Sequence, residues 1–367
     1  MRVTAAVVAS RGAEFELREL ELVDPGPGQV LVRIKAVGIC QSDLSVKDYA
    51  FGAVMPIVLG HEGAGIVEKV GEGVSHVAPG DHVVLSYGYC GACVPCSEDA
   101  HSYCTNFHAL NWGGNLPDGR SPYLDGETPV AGMFFAQSSF STYALALENN
   151  TVKVASDLPL EWLAPLGCGV QTGAGTVLNG LKPPAGKSLA VFGAGSVGLS
   201  ALMAAAHLGC TPLVAIDLDD GRLALAKELG ATHTLRGDAP NLAATLREMV
   251  PGGLNYTVDT TGVPAIMRAA IDALAPRGTC ALIAMPKPGT EASFMPGPLL
   301  SGRSIMGFIE GNADPQVFIP EMIDLHRAGR FPFEKLVTTF DFADINHAVA
   351  EMRSGRTIKP VLLMAEG

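Results

Sequence analysis

The chain has 367 residues, of which 48% are hydrophobic, 17% are charged and 43 are glycine. This length suffices for two domains with substantial cores, and the composition is typical of compact α/β proteins rather than of disordered chains. A formal net charge of −12 without a cluster of Lys and Arg disfavours nucleic acid and anionic membrane surfaces as partners.

The apolar stretches are short and are interrupted by Gly, Pro or charged residues. The first residues lack the cationic and long apolar segments of a secretory signal. These two features predict a soluble cytoplasmic protein that contacts no membrane.

Residues 3–151 combine short β-branched runs, such as 29–37 and 81–85, with Gly/Pro turns such as 24–28 and 78–81. This alternation is typical of a β-rich, barrel-like domain. The sequence contains neither an internal repeat nor a low-complexity tract.

After about residue 158 the pattern changes to alternating strands and helices. Alternating β and α segments predict a doubly wound parallel sheet. The last elements, two helices and a strand beyond residue 311, are expected to rejoin the first domain. The predicted strands are 188–192, 213–217, 232–235, 254–259, 279–284, 304–308 and 359–364, and the clearest predicted helices are 197–208, 222–229, 317–328 and 345–353.

A glycine-rich segment follows Phe192 directly and opens a helix. In the dinucleotide-binding fingerprint the first glycine makes a tight turn, the second lets the backbone approach the pyrophosphate, and the third allows helix–strand packing. Asp217 ends the next strand, where its carboxylate can accept hydrogen bonds from the adenosine ribose and repel a 2′-phosphate. We therefore predict NAD rather than NADP, with simple capping of the strand by Asp217 as the alternative. The candidate cofactor residues are Gly193, Gly195, Ser196, Val197, Gly198 and Asp217.

Four of the eight cysteines are grouped, with two, two and seven residues between them. In a reducing compartment such a group indicates a metal site rather than disulfides, and one loop can fold four thiolates around a tetrahedral zinc ion. An iron–sulfur cluster also takes four thiolates and is the chemical alternative. Outside the group, Cys210 and Cys280 lie at a helix end and in a strand, which favours core packing. The grouped cysteines are Cys90, Cys93, Cys96 and Cys104.

His61 and Glu62 lie between apolar residues and glycines in the segment 56–66. A lone histidine in such a run is more often a buried core residue than a metal ligand. Cys40 and Cys168, however, are single cysteines among glycines. Together with His61 they would form a Cys2His set with a fourth position open, which is the ligand set of the catalytic zinc in alcohol dehydrogenase.

Taken together, these motifs resemble the zinc-dependent medium-chain alcohol dehydrogenases over nearly the full length of the chain. Within that family, the segments 86–93, 111–114 and 134–140 are most similar to bacterial aryl (benzyl) alcohol dehydrogenases, a group that includes terpene-alcohol enzymes. The matching motifs are the segments around Cys40, His61 and Cys168, the four-cysteine loop, the glycine-rich fingerprint and residues 354–360.

The resemblance implies an α/β protein with two domains. A GroES-like β-barrel catalytic domain would comprise residues 1–160 and 305–367, and an NAD-binding Rossmann domain with a doubly wound parallel sheet would comprise 161–304. The family further implies a homodimer or homotetramer, assembled partly through the edge of the cofactor sheet near residues 295–310.

The resemblance also implies two zinc ions per chain and assigns roles to single residues. Cys40, His61 and Cys168 would bind the catalytic zinc, while the four-cysteine loop would bind the structural one. Asp43 would orient the His61 ring, and Glu62 would lie behind the ion. The other implied roles are a hydrogen bond from Ser42 to the substrate oxygen, Thr172 on the nicotinamide side, Arg222 near the adenosine ribose, Lys359 near the pyrophosphate, and a substrate pocket of Phe51, Tyr87, Trp112, Phe134 and Phe135.

Two positions depart from the best-known members of the family. Ser45 stands where many members have a histidine that ends the proton relay, which leaves the route of the relay open. Gln41 stands where many members have a basic residue at the pyrophosphate, which suggests a weaker grip on the coenzyme and faster release of NADH.

The function predicted from the sequence is the reversible, zinc- and NAD-dependent oxidation of a primary aromatic or allylic alcohol to the aldehyde. Alternatives within the superfamily are a terpenoid-alcohol, polyol or thiol-dependent formaldehyde dehydrogenase, and the paired Phe134 and Phe135 argue against the polyol enzyme. A catalytically inactive nucleotide-binding scaffold is the non-enzymatic alternative, which the intact ligand set and Ser42 disfavour.

Overall fold

The computed structural model describes residues 1–365, which form two compact units. The first unit comprises Met1–Cys168, Asp314–Glu321 and the chain from Glu334 onward. The second unit comprises Gly169–Ala313 and Met322–Phe333.

The strands of the described chain are β1 (Arg2–Val8), β2 (Phe15–Leu22), β3 (Gln29–Gly38), β4 (Ile57–Val58), β5 (Gly63–Val70), β6 (His82–Leu85), β7 (Tyr123–Asp125), β8 (Thr128–Val130), β9 (Tyr143–Leu147), β10 (Thr151–Val154), β11 (Leu189–Phe192), β12 (Leu213–Asp217), β13 (His233–Arg236), β14 (Leu254–Asp259), β15 (Leu274–Leu282), β16 (Ser304–Gly307), β17 (Val337–Asp341) and β18 (Lys359–Leu363).

The α-helices are α1 (Gln41–Tyr49), α2 (Val94–Ser97), α3 (Phe107–Trp112), α4 (Leu160–Leu163), α5 (Gly169–Gly175), α6 (Ser196–His207), α7 (Asp220–Glu228), α8 (Leu242–Met249), α9 (Pro264–Asp272), α10 (Pro296–Leu299), α11 (Pro315–Arg327) and α12 (Ile345–Arg353). Short 3₁₀ turns include Ala164–Gly167 and Glu310–Asn312, and a π-helical turn covers Thr176–Leu181. None of the helices between residues 1 and 365 has the length and hydropathy that a membrane span requires.

The first unit is built from two sheets whose strand orders are β4-β1-β2-β7-β8 and β10-β6-β5-β3-β18-β17. Strand β3 is the centre of the second sheet, because β5 pairs along one edge while β9 and β18 share the other. Its register with β18 places Gly38 opposite Val361. Strand β18 therefore lies directly beside the end of β3, and this end of β3 is two residues before Cys40.

The second unit contains, within the described chain, a six-stranded parallel sheet in the order β13-β12-β11-β14-β15-β16. The predicted doubly wound parallel sheet is thereby confirmed. Strand order reverses between β11 and β14, and ligands of such sheets bind at the carboxyl ends of the strands at this switch point. The buried runs of β11 and β12 are apolar on both faces, as parallel strands covered by helices require.

Strand β15 differs most from the prediction, since it begins at Leu274 instead of residue 279. Pro276 and Gly278 are turn signals in the sequence, and the backbone at Arg277 does adopt a positive φ of 63°. The pairing with β14 nevertheless resumes on both sides of this irregularity, at Leu274 and at Thr279. Tertiary pairing here overrides the local turn preference.

The two units divide the chain at residues 168/169, 313/314, 321/322 and 333/334, whereas the sequence suggested boundaries only at 160/161 and 304/305. Residues 322–333, which were expected in the first domain, belong to the second unit. Helix α4 and the turn Ala164–Gly167 pack on strands of the first unit, which moves the first boundary. Strand β16 pairs with β15 and extends the parallel sheet, which moves the second.

Helix α1 is not predicted by the β-rich pattern of the first unit. It begins immediately after Cys40, and Asp43 in its first turn accepts a hydrogen bond from the Cys40 backbone N–H at 2.9 Å. A carboxylate that caps the helix start in this way fixes the direction in which the Cys40 side chain leaves the backbone.

Candidate active site

The four grouped cysteines come together in the loop that follows β6. Their sulfur atoms lie within 4.8 Å of one another, and the Cys90 backbone N–H points to the Cys104 sulfur at 3.3 Å. Backbone N–H groups of Cys96 and Thr105 lower the pKa of Cys93 to about 5, whereas burial raises the pKa of Cys96 to about 12. Four thiols gathered in one loop, with no other donor type among them, fit a closed structural zinc site.

A second cluster contains Cys40, His61, Glu62 and Cys168, whose ligand atoms also lie within 4.8 Å of one another and are all buried. The three predicted ligands come from separate elements: Cys40 lies between β3 and α1, His61 follows β4, and Cys168 follows the turn Ala164–Gly167. The structure therefore brings Cys168 to two residues that lie more than 100 positions before it in the sequence.

Asp43 orients the imidazole of His61. Its Oδ1 lies 2.8 Å from His61 Nδ1 and accepts the Gly60 N–H at 3.0 Å. This contact directs Nδ1 at the carboxylate, so Nε2 is the ring nitrogen that remains for a metal ion. Within residues 1–365, Nε2 is buried and has no hydrogen-bond partner. A buried imidazole nitrogen without a partner, beside two thiols, fits a bound metal ion.

The electrostatics of this cluster depend on close neighbours. A hydrogen bond from Cys168, helped by the charges of Lys359 and His61, lowers the pKa of Cys40 well below its usual range despite burial. Burial lowers the pKa of His61, but the negative charges of Asp43 and Cys40 raise it by more. The thiolate form that a metal needs at Cys40 is thus already favoured by the protein.

Glu62 forms a buried ion pair with Lys359. The Lys359 Nζ atom lies 2.9 Å from both carboxylate oxygens and donates to the Ile39 carbonyl at 3.1 Å, so all three of its protons are used. Burial raises the pKa of Glu62 to about 7, and Glu62 raises the pKa of Lys359. Lys359 was predicted near the pyrophosphate; in this structure its side chain is 1% exposed and its three donors bind groups of the first unit.

Aromatic rings surround the His61 imidazole. Phe135 stacks on it at a centroid distance of 4.4 Å and an interplanar angle of 25°, and Phe134 meets it edge-on at 5.3 Å. Trp112 lies 5.5 Å from Phe134 and 6.0 Å from Phe51. Four of the five predicted pocket residues therefore form one cluster beside the second metal-binding group.

Tyr87, the fifth predicted pocket residue, is fully buried and is connected to this cluster through Phe107. The ring of Phe107 lies 5.8 Å from Tyr87 and 6.2 Å from Phe135. The sequence analysis missed Phe107, although its position three residues after Cys104 is the signal that could have revealed it.

The glycine-rich segment of the second unit has the geometry of the predicted fingerprint. Gly193 has a φ of 93°, and a Cβ at Gly198 would stand 1.8 Å from the Gly193 carbonyl oxygen. At Gly195, by contrast, no heavy atom of the described chain other than those of Gly195 and its two neighbours lies within 4 Å of the position that a Cβ would take. This open cradle at the start of α6, whose first residues are Ser196 and Val197, fits a phosphate group.

Asp217 lies at the other side of this cradle. Its carboxylate accepts hydrogen bonds from the Ala194 N–H at 2.6 Å and the Asp219 N–H at 3.0 Å. Arg222 lies in the first turn of α7, where its N–H donates to Asp219. The predicted adenosine-side residues thus lie together at the carboxyl end of β12.

Thr172 lies in α5, and its hydroxyl is 3.4 Å from the carboxylate of Glu310. Glu310 is 6% exposed and is a residue that the sequence analysis missed. Neither the periodicity nor a motif around residue 310 distinguishes it from an ordinary surface glutamate.

Comparison with known proteins identifies the family. Residues 26–156 match the alcohol dehydrogenase GroES-like domain, and residues 196–327 match the zinc-binding dehydrogenase domain. The chain is also 45% identical to the geraniol dehydrogenase of Castellaniella defragrans, over 98% of this chain and 97% of that protein. The chain belongs to the zinc-dependent medium-chain alcohol dehydrogenases. The predicted GroES-like and Rossmann domains are thereby confirmed.

Solved structures agree with the assignment of this chain to the alcohol dehydrogenase family. The benzyl alcohol dehydrogenase of Acinetobacter calcoaceticus is 44% identical and superposes with a TM-score of 0.96, with all of both chains covered. An alcohol dehydrogenase zinc-binding domain protein from Burkholderia ambifaria is 47% identical with a TM-score of 0.97, again over all of both chains. Zinc, rather than an iron–sulfur cluster, is accordingly the metal of this family.

The four-cysteine loop of the alcohol dehydrogenase can be tested by Cys93→Ser. We expect the zinc content to fall from two ions per chain to one and the thermal midpoint to drop, because the fourth thiolate of a closed site is lost. Elemental analysis and thermal denaturation measure these effects. Cys210→Ser is the matched control, since this buried cysteine belongs to neither cluster, and an equal loss of zinc in both variants would contradict the assignment.

The Asp43 carboxylate can be tested by Asp43→Asn, which keeps the shape but weakens the hydrogen bond to His61. We expect zinc affinity at the second cluster to fall roughly 10- to 100-fold, the usual effect of removing such a partner. Titration with a competing chelator measures the affinity. Asp48→Asn, on the same helix but in an ion pair with Arg353, should retain it. Unchanged affinity in Asp43→Asn would refute the orienting role.

Proposed function

We propose that this alcohol dehydrogenase oxidises primary aromatic or allylic alcohols to aldehydes, with NAD as hydride acceptor. The observation that carries the proposal is the aromatic cluster on His61, in which Phe135 stacks on the imidazole and Phe134 meets its edge. A flat ring or conjugated chain buries more area against such walls than ethanol does.

Cys40, His61 and Cys168 hold the catalytic zinc in this proposal, and the four-cysteine loop holds the structural one. Bound zinc supplies a Lewis acid that lowers the pKa of the substrate hydroxyl. Asp43 orients the His61 ring so that Nε2 would bind the ion, while Lys359 balances the buried charge of Glu62.

Ser42 takes the proton of the substrate hydroxyl. Its Oγ lies 4.0 Å from the Cys40 sulfur, and the side chain is only partly buried, so it can pass a proton outward. Ser45, one turn further along α1, is buried and cannot titrate as a histidine would. The relay of this chain therefore runs from Ser42 to solvent without an imidazole at residue 45.

NAD supplies the acceptor for the hydride when it is bound to the second unit. Gly195 offers the open approach to the pyrophosphate, and Asp217 offers a carboxylate for the adenosine ribose. Thr172 lies on the nicotinamide side and Arg222 near the ribose. With Gln41 uncharged and Lys359 buried, neither contributes a cation to the pyrophosphate, which supports fast release of NADH.

The relatives support the substrate class. One is named for geraniol, an allylic terpene alcohol, and another for benzyl alcohol, and both share 44–45% of their residues with this chain. A polyol dehydrogenase would need hydroxyl-binding groups where this chain has Trp112, Phe134 and Phe135. The formaldehyde alternative predicts activity only with an added thiol.

We also propose a homo-oligomer that forms partly through the free edge of the parallel sheet. Strand β16 lies at this edge, and Met306 within it is 46% exposed. An exposed, apolar strand edge is a ready template for pairing with a second copy. Light scattering would show a mass near 38 kDa for a monomer and so contradict this proposal.

The substrate class is tested by kcat/KM for benzyl, cinnamyl and geranyl alcohols against ethanol, with NAD. We expect the kcat/KM of each of these alcohols to exceed that of ethanol by at least about tenfold, because each buries several more methylene equivalents against the aromatic rings. Trp112→Ala should lower the values for the large alcohols more than the value for ethanol. Trp162→Ala, outside the cluster, is the control. Higher kcat/KM for ethanol than for all three alcohols would refute the proposal.

Cofactor choice is tested by Asp217→Asn, which keeps the acceptor for the Ala194 N–H but removes the charge. We expect the preference for NAD over NADP, as a ratio of kcat/KM, to fall by roughly 100-fold, because like-charge contacts cost several kcal/mol. Asp238→Asn, an exposed carboxylate after β13, should leave the ratio unchanged. A wild-type preference for NADP would contradict the assignment outright.

A further inference from the structure

Glu310 is a buried carboxylate that has no role in the proposed reaction. It lies three residues beyond the end of β16 and is 6% exposed. Its Oε2 accepts a hydrogen bond from the Gln171 amide at 2.9 Å and contacts the Thr172 hydroxyl at 3.4 Å. One carboxylate oxygen therefore holds two neighbouring side chains of α5.

The backbone that carries Glu310 is held in an unusual conformation. Glu310, Gly311 and Asn312 have φ values of 49°, 66° and 51°, in the left-handed region that non-glycine residues rarely adopt. A Cβ at Gly311 would stand 2.4 Å from the Gln171 carbonyl, and one at Gly175 would stand 2.4 Å from the Gly311 carbonyl. The turn Glu310–Asn312 and α5 thus touch through their backbones, which fixes the carboxylate next to Thr172.

The donors around Glu310 favour its charged form. An amide N–H and a hydroxyl both point to the same oxygen, and hydrogen bonds donated to a carboxylate stabilise the anion. Two donors thus converge on the Glu310 carboxylate at this end of the parallel sheet.

The position of this charge follows from the topology of the sheet. Asp217, at the end of β12, lies on the adenosine side of the switch point between β11 and β14. A dinucleotide that crosses the switch point must place its other half over the carboxyl ends of β14 to β16. Helix α5 lies against the first turn of α6. A Cβ added at Gly173 would stand only 2.0 Å from the Val197 carbonyl oxygen, which shows how closely the two backbones approach. Glu310 and Thr172 are therefore on the nicotinamide side of the phosphate cradle.

We propose that Glu310 is a positioning residue that orients Thr172 toward the nicotinamide and stabilises the oxidised, positively charged ring. The proposal rests on the proposed function, in which NAD binds to the second unit. NAD⁺ carries a positive charge on its nicotinamide ring, whereas NADH does not. A fixed carboxylate nearby therefore lowers the Kd of NAD⁺ more than the Kd of NADH.

The test is Glu310→Gln, which preserves shape and hydrogen bonding through its carbonyl oxygen but removes the charge. NADH binding to the zinc-loaded enzyme is measured by NADH fluorescence, and NAD⁺ binding by its displacement of NADH. We expect the ratio Kd(NADH)/Kd(NAD⁺) to fall by about tenfold relative to the wild type, as for one charge acting at short range in a partly screened site. Asp272→Asn removes a charge from the same unit at the end of α9, in an ion pair with Arg268, and should not move the ratio.

A second variant, Glu310→Asp, keeps the charge but withdraws it by one methylene. It should give a ratio between those of the wild type and Glu310→Gln, and it serves as the test if Glu310→Gln does not fold. Equal losses of affinity for NAD⁺ and NADH, or an unchanged ratio, would overturn the proposal and leave the proposed function standing. If the wild type bound neither nucleotide, the proposed function would fall and this inference with it.

Discussion

The carboxylate of Asp43 is the contact on which the second metal-binding group depends. It binds the Cys40 N–H, the Gly60 N–H and the His61 imidazole, so a single buried side chain fixes the starting point of α1 and the segment after β4. Two of the three proposed zinc ligands, Cys40 and His61, are therefore positioned by the same group. Loss of it would leave three buried donors without an acceptor, and each costs about 1–3 kcal/mol.

The ion pair of Glu62 and Lys359 shows why the last strand returns to the first unit. Strand β18 pairs with β3, and this register brings Lys359 beside the Ile39 carbonyl and the Glu62 carboxylate. A carboxylate that is fully buried near thiolates needs a cation, since removing one partner of such a pair typically costs about 3–5 kcal/mol. The C-terminal segment is thus part of the site and not only of the sheet.

In the parallel sheet of the second unit, buried or partly buried carboxylates are likewise held by hydrogen bonds from fixed groups. Acidic side chains stand on both sides of the switch point, Asp217 after β12 and Glu310 after β16. The Ala194 N–H, which follows Gly193, binds the first carboxylate, and Gly311 allows the close backbone approach to α5 beside the second. Both carboxylates accept hydrogen bonds from groups that the fold has already fixed, so neither needs a ligand to order it.

Local signals in the sequence were sufficient for the parallel sheet, the glycine-rich loop with Asp217, and the four-cysteine loop, because each consists of residues close together in the chain. The resemblance to a family was needed to join Cys40, His61 and Cys168. Only the tertiary structure decided that Lys359 pairs with Glu62, that α1 follows Cys40, that Phe135 stacks on His61 and that Glu310 binds Thr172. Apart from the start of α1, these contacts join residues far apart in the chain, and burial, register and ring orientation are properties that exist only once the strands have paired.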